Sequence, residues 1–307
     1  MNSVVDIYES PSGLVQCTIK SQGCRYKLNG KGCIMCNYGA DRNVTVEELE
    51  YSLNNFVRPI VKNRVLFGTY GSILDKSEIN KELFDVIINF IKSIDTSVII
   101  FETHYKTINQ RTLQYISEAL LDKEIIFEVG LESSNADSLL SIGKDINLEE
   151  LKRTINLVHE YNMEISVNIL VGIPFKNTKE QLIDALSTVH WSFSNKVDSV
   201  VLFPLNIKVG TEIQNSKPVS SWLLVEALLN INKDKLDKVH IAWYGNRENN
   251  GSIKPLTCSK CDDTLINFYK QYEFNRDAKT RSELLQKLLN NTCKCDCQTK
   301  VINNIYK

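Results

Sequence analysis

Cys24, Cys33 and Cys36 sit among glycines in the segment GCRYKLNGKGCIMCNYGA (residues 23–40), and three thiols so placed point to a metal. Cys33-Ile34-Met35-Cys36 makes a tight bidentate hook. Cys24 reaches it across eight residues whose Gly30 and Gly32 let the backbone fold back over a metal centre. A zinc staple with a distant fourth ligand would use the same residues. A thioredoxin-like redox pair fits less well, since it expects a helix start directly after a strand and no third thiol. An iron–sulfur cluster with one iron lacking a cysteine is the favoured reading, with the zinc staple as its alternative. Such an iron can chelate the amino and carboxylate groups of a small molecule and pass one electron into it.

A second group lies near the C-terminus: Cys258-x2-Cys261 and Cys295-x-Cys297, with Cys293 nearby. Four thiolates at these spacings would close a tetrahedral zinc site, and they could equally hold a second iron–sulfur cluster or remain loose reduced thiols. The 221 residues between the two groups contain no cysteine. No basic segment followed by an apolar core opens the chain, and no apolar run is long enough to span a bilayer. The expectation is a cytoplasmic protein with no membrane partner, whose cysteines serve metals rather than disulfides. Charge nearly balances over the 307 residues, at −1, so a strongly basic nucleic-acid binder is not indicated. Residues 251–307 nevertheless carry ten Lys/Arg against six Asp/Glu.

The middle of the chain must position these groups. Short β-branched runs at 14–20, 64–68, 97–102, 124–130, 164–172 and 198–203, with another at 238–243, alternate with helical segments. Thr45 with Glu48, Asn147 with Glu150 and Thr178 with Gln181 have capping-box spacing. EELEYSLNNFVRPI and LLVEALLNI read as outer-layer helices with one apolar stripe. The expected fold is α/β, a partial (β/α)6 TIM-like barrel over residues 1–245 with a small Cys-rich, metal-binding appendage over 246–307. A doubly wound sheet is the alternative. In either architecture the chemistry belongs at the C-terminal ends of the strands. The cysteine loop, FGTYGSILD, ETHYK, EVGLESSNAD, GIPFKN and FPLNIKVGT all follow strands at that edge.

A three-cysteine loop after the first such strand, a glycine-rich segment after the next, and the GLES and GIP stretches together resemble the radical S-adenosylmethionine (SAM) superfamily. The eight-residue gap departs from the commonest spacing, which has three residues there. With FGTYGSILD, FEVGLESSNADSL, LFPLNIKVGTEI, CSKCD and the terminal CDC, the chain is similar to a narrower group. These are the radical SAM lyases that help make archaeosine, a 7-deazaguanine nucleoside of archaeal tRNA, and their uncharacterised relatives. The resemblance implies that Cys24, Cys33 and Cys36 hold a [4Fe–4S] cluster whose fourth iron is met by SAM. Reductive cleavage of SAM would then give methionine and a 5′-deoxyadenosyl radical that abstracts a substrate hydrogen. It further implies that backbone carbonyls of Gly68, Thr69, Tyr70 and Gly71 meet the methionine amino group and that Glu132 and Ser133 face the ribose or carboxylate. Ile173, Pro174 and Leu205 would line the adenine, and Met35 would pack on it.

Relatives tend to carry a Glu-x-Arg run after strand three, where this chain has Glu102-Thr103-His104-Tyr105-Lys106. His104 or Lys106 would stand in for the arginine, and with Glu132 they are the candidates for acting on substrate. His159, His190 and His240 read as surface or core histidines. The substrate implied is a lysine-modified 7-deazaguanine in tRNA, with a C–N bond broken to leave an amidine. A lysine-transferring partner enzyme and a reductase, flavodoxin or ferredoxin as electron donor follow from the same likeness. A small metabolite or peptide is the alternative substrate, and a non-catalytic iron–sulfur or zinc module the alternative class.

Overall fold

The computed structural model describes residues 2–30, 32–38, 42–242, 257–290 and 296–306. Cys293, Cys295, Trp243 at the end of the last expected strand, and the expected boundary at 245/246 lie outside the described residues. The strands are β1 (Val5–Glu9), β2 (Leu14–Ile19), β3 (Arg64–Thr69), β4 (Val98–Thr103), β5 (Glu124–Glu132), β6 (Glu164–Val171), β7 (Ser199–Pro204) and β8 (Val239–Ile241). They follow one another in sequence order in an eight-stranded sheet, the topology of a partial TIM-like barrel. All seven strands expected from the β-branched runs are present. The additional one, β1, pairs antiparallel with β2 through a turn in which the Gly13 N–H donates to the Ser10 carbonyl (2.9 Å), with Gly13 at φ 77°. VDIYE carries its apolar residues in too short a run to announce itself.

The helices are α1 (Arg25–Leu28), α2 (Val46–Ser52), α3 (Lys81–Lys92), α4 (Gln110–Ala119), α5 (Ala136–Ser141), α6 (Leu148–Glu160), α7 (Thr178–Ser194), α8 (Ser221–Leu229), α9 (Asp262–Phe274), α10 (Ala278–Asn290) and α11 (Asp296–Tyr306). Among the described residues no helix is long and apolar enough to cross a membrane. Thr45 and Glu48 make the expected reciprocal capping box, and Asn147 caps α6 through the Glu149 and Glu150 N–H groups. The box at α7 is one residue earlier than expected. Asn177 is the cap and Glu180 its partner, because a short amide accepts from the third helical N–H as well as a hydroxyl does.

Two compact units make up the chain: residues 1–32, 38–130 and 147–166, and residues 33–37, 131–146 and 167–307. In the first, parallel register sets Cys17, Phe67, Phe101 and Phe127 side by side, all fully buried. Leu83, Ile87 and Ile91 of α3 and Leu113 and Ile116 of α4 are buried in the same unit. In the second, α8 is not the one-sided outer helix its sequence suggested. Trp222 through Leu228 are all buried, because α10 and α11 pack on α8 in addition to α7 and β7.

The fastening of α10 is polar. Arg281 is fully buried, lies 4.4 Å over the Tyr272 ring, and donates to the carbonyls of Tyr272 (3.1 Å), Asn275 (2.7 Å), Leu236 (2.6 Å) and Val239 (2.8 Å). Arg281→Met should leave several buried carbonyls without donors and cost on the order of 3 kcal/mol or more. A lowered urea midpoint reads it, and an unchanged midpoint would contradict this account.

Candidate functional site

In the first unit, Cys24 precedes α1 with extended backbone and is half-exposed. The two residues after it are anchored. Arg25 Nε pairs with Asp75 at 3.2 Å, and the Tyr26 ring lies 5.0 Å from that of His104. The cysteine loop is thereby tied to the loops following β3 and β4, as parallel pairing of those strands requires.

The glycine segment after β3 rests on carboxylates. A Cβ at Gly68 would lie 2.5 Å from Glu102 Oε2, and one at Gly71 would run into the Glu78 carboxylate, so a side chain at either position would have to displace that carboxylate. Thr69 donates to Glu78 Oε2 (2.9 Å) and accepts from the Gly71 N–H (3.2 Å), and the Ser72 N–H also donates to Glu78 (3.2 Å). Tyr70 stacks on Tyr38 with ring centroids 5.5 Å apart. Burial pushes the Glu78 carboxyl up from its ordinary value against the pull of these hydrogen bonds. The His104 ring is flanked by Tyr26 and by Tyr105 (4.8 Å), and its Nδ1 accepts from the Lys106 N–H (3.2 Å). Lys106 is exposed, its Nζ 5.7 Å from the Tyr105 ring centre.

In the second unit, Cys33 to Cys36 form a single turn closed by the Cys36 N–H on the Cys33 carbonyl (3.1 Å). The Ile34 N–H donates to the Ile142 carbonyl (3.0 Å), and the Glu212 N–H donates to the Ile34 carbonyl (3.1 Å). Both thiols and Met35 are half-buried. Glu132 ends β5 at φ 66°, a left-handed conformation uncommon outside glycine, and pairs with Lys144 at 2.9 Å. Burial alone would lower Lys144, but Glu132 and the thiols of Cys33 and Cys36 outweigh it and raise its pKa, keeping it charged. Ser133 is fully buried and donates to Asp184 (2.7 Å), which also receives Ser138 and, at 2.9 Å, Lys176.

Pro174 and Leu205 come together in the lining of a cavity of about 870 Å³. Ile173, just before Pro174, is buried, and its carbonyl accepts from Gln181 (3.1 Å). Phe175, Lys176, Lys217, Thr257, Cys297 and Lys300 line the same cavity. Phe175 is 74% exposed at φ 67°, a strained position for an aromatic residue.

The C-terminal thiols of Cys258, Cys261 and Cys297 converge, their sulfurs all within 4.8 Å of one another. Burial works against ionisation of Cys261, yet hydrogen bonds from Thr257 and Cys258 bring its pKa down to about 6. Cys17, by contrast, is a core residue of β2 pushed up to about 12 by burial.

Several residues escaped the sequence reading. Glu78, Lys144, Lys176 and Asp184 carry charge in helical or loop segments where solvated side chains are the norm, and only packing turns them inward. The side-chain oxygens of Asn168 and Asn206 are buried without a hydrogen-bond partner among the described residues. The one local signal was Asp75 with Glu78, directly after the glycine segment. Glu78→Gln keeps an acceptor for Thr69 and Ser72. Because the folded-state value is raised above 4.5, wild-type stability should fall as pH rises through that range, and the variant should lose this decline. Melting temperatures measured from pH 4 to 8 check it; parallel curves would refute it.

No family model matches the chain. It is 24% identical over 94% of its length to an uncharacterised protein of Methanocaldococcus jannaschii, covering 80% of that protein. It is 22% identical over 67% of its length to archaeosine synthase subunit beta of Thermococcus kodakarensis, covering 68% of it. Among solved structures, methylornithine synthase (PylB) superposes with a TM-score of 0.54 at 12% identity, over 94% of this chain and 85% of that one. The radical S-adenosylmethionine methyltransferase TsrM of Kitasatospora setae gives 0.50 at 12% identity, over 91% of this chain and 61% of TsrM. The resemblance to the radical SAM superfamily thus holds at the level of the fold.

Proposed function

We propose that this chain is a radical SAM enzyme, with Cys24, Cys33 and Cys36 as ligands of a [4Fe–4S] cluster. The observation that carries the reading is the Cys33–Cys36 turn, held by backbone bonds through Ile34, with the half-buried cation of Lys144 within electrostatic reach of both thiols. Thiolates on iron carry negative charge, and a fixed ammonium beside two of them lowers the cost of holding that charge in a half-buried place. When bound, such a cluster supplies one electron to SAM, whose cleavage yields methionine and a hydrogen-abstracting 5′-deoxyadenosyl radical.

The chain's own residues then have definite tasks. Gly68 and Gly71 leave backbone open for the methionine end of SAM, with Glu78 and Glu102 supporting the segment from behind. Glu132 is held by Lys144 to face the ribose or carboxylate, while Ser133 fastens its neighbour through Asp184. Ile173, Pro174 and Leu205 offer an apolar wall for adenine, with Met35 packing on the ring. His104 and Lys106 are left to meet substrate.

For the substrate we infer a lysine-modified 7-deazaguanine of tRNA and a C–N lyase step, supported by the likeness to archaeosine synthase subunit beta. The exposed Phe175 and the lysines at 217 and 300 suit a base and its phosphates. A lysine-transferring partner and a flavodoxin, ferredoxin or reductase donor belong to the same reading. A small metabolite or peptide takes its place if tRNA mobility is unaffected near physiological salt.

Anaerobic reconstitution with SAM and reductant should release 5′-deoxyadenosine, and Cys36→Ala should reduce both release and N-terminal iron to background. Release undiminished in the variant would overturn the ligand set. Lys144→Met should shift cluster reduction to more negative potential in an EPR-monitored titration, because the same electron would enter a site without its compensating cation. An unchanged midpoint would remove Lys144 from this role.

A further inference from the structure

We propose that Cys258, Cys261 and Cys297 bind a single thiophilic divalent cation of the zinc type, and that this ion clamps α11 in place as a wall of the 870 Å³ cavity. The sequence leaves zinc, a second cluster and loose thiols open; sulfur spacing separates them. With metal–sulfur bonds of about 2.3 Å, a tetrahedral ion holds its thiolates about 3.8 Å apart. Here Cys258 and Cys261 sulfurs are 3.4 Å apart and all three lie within 4.8 Å of one another. A four-iron cluster assigns each thiolate to a different iron, so its sulfurs stand farther apart. A disulfide between Cys258 and Cys261 would need about 2.05 Å.

The surroundings are those of a metal thiolate. Cys258 and Cys261 form a turn in which the Cys261 and Asp262 N–H groups both donate to the Cys258 carbonyl (3.0 Å each), aiming two sulfurs together at the start of α9. The Thr257 hydroxyl lies 3.2 Å from the Cys261 sulfur. The indole N–H of Trp222 is buried with no conventional acceptor among the described residues and lies beside that same sulfur. A neutral thiol is a poor acceptor for two donors, whereas a metal-bound thiolate satisfies both.

Cys297 is the link to the cavity. It belongs to the first turn of α11, and it lines the cavity together with Lys300, Val301 and Asn304 from that helix and Thr257 from the cysteine hook. An ion shared by Cys297 and the hook therefore joins α11 to α9 and, through Trp222, to the start of α8.

The test uses the full chain carrying Cys24→Ala, Cys33→Ala and Cys36→Ala, which separates this site from the radical reaction proposed above. About one zinc per chain and no iron is expected, and cobalt(II) in its place should show intense thiolate-to-metal charge transfer with tetrahedral d–d bands. Cys297→Ser changes a half-exposed residue, and circular dichroism verifies that it folds. It should weaken zinc retention more than roughly 10-fold in a chelator competition. Removing the ion should speed amide exchange across 296–306. Iron retained by the triple variant, no bound metal, or exchange in α11 indifferent to chelation would each overturn the proposal.

Discussion

Parallel strands in one sheet must all end at the same edge, and the chemistry of this chain depends on that constraint. The row Cys17, Phe67, Phe101, Phe127 fixes the register of β2 to β5 through fully buried side chains, and a one-residue slip would turn them away from Phe84 and Phe90 of α3 onto the opposite face of the sheet. One or two residues beyond the row come Gly68, Thr69, Glu102 and Thr103, and then the loops. The Cys24 segment meets this edge through Arg25 on Asp75 and Tyr26 on His104. The loop departs from the commonest spacing, and these anchors order its first residues.

Carboxylates manage the edge in two ways. Three are in ion pairs: Glu132 with Lys144, Asp184 with Lys176, Asp75 with Arg25. Glu78 is instead buried, which raises its pKa against the pull of the Thr69 hydroxyl and the Ser72 N–H, and its carboxylate gives the glycine segment a floor. That floor lies directly where a Cβ at Gly71 would project. The strained backbones of Glu132, the last residue of β5, and Phe175, four residues beyond β6, occur where strands give way to loops, and such cost persists only when surrounding contacts impose it.

Much of the architecture was legible in residue pattern. Six β-branched runs and a seventh mark parallel strands because buried strands admit few other residues. The cysteine spacings marked two groups of thiols, and in the C-terminal one the structure brings Cys258, Cys261 and Cys297 within 4.8 Å of one another. Position α8 was misread because its apolar stripe could not reveal that α10 and α11 cover its other side. The cap of α7 moved by one residue because Asn177 and Thr178 are both competent caps, and only the path of the chain chooses between them.

The sequence by itself determined the strand rhythm, the cysteine hooks and the edge at which polar loops gather, since these depend on local spacing and hydrophobic period. Tertiary structure alone decided which charges turn inward. Lys144 beside Cys33 and Cys36, Glu78 beneath Gly71, and Cys297 against Cys258 and Cys261 are separated by 35 residues or more, or by a turn whose direction no local rule sets. The energy of burying a charge or a thiol depends on partners that only folding brings within reach. A lysine or cysteine in sequence therefore carries its chemistry but not its surroundings.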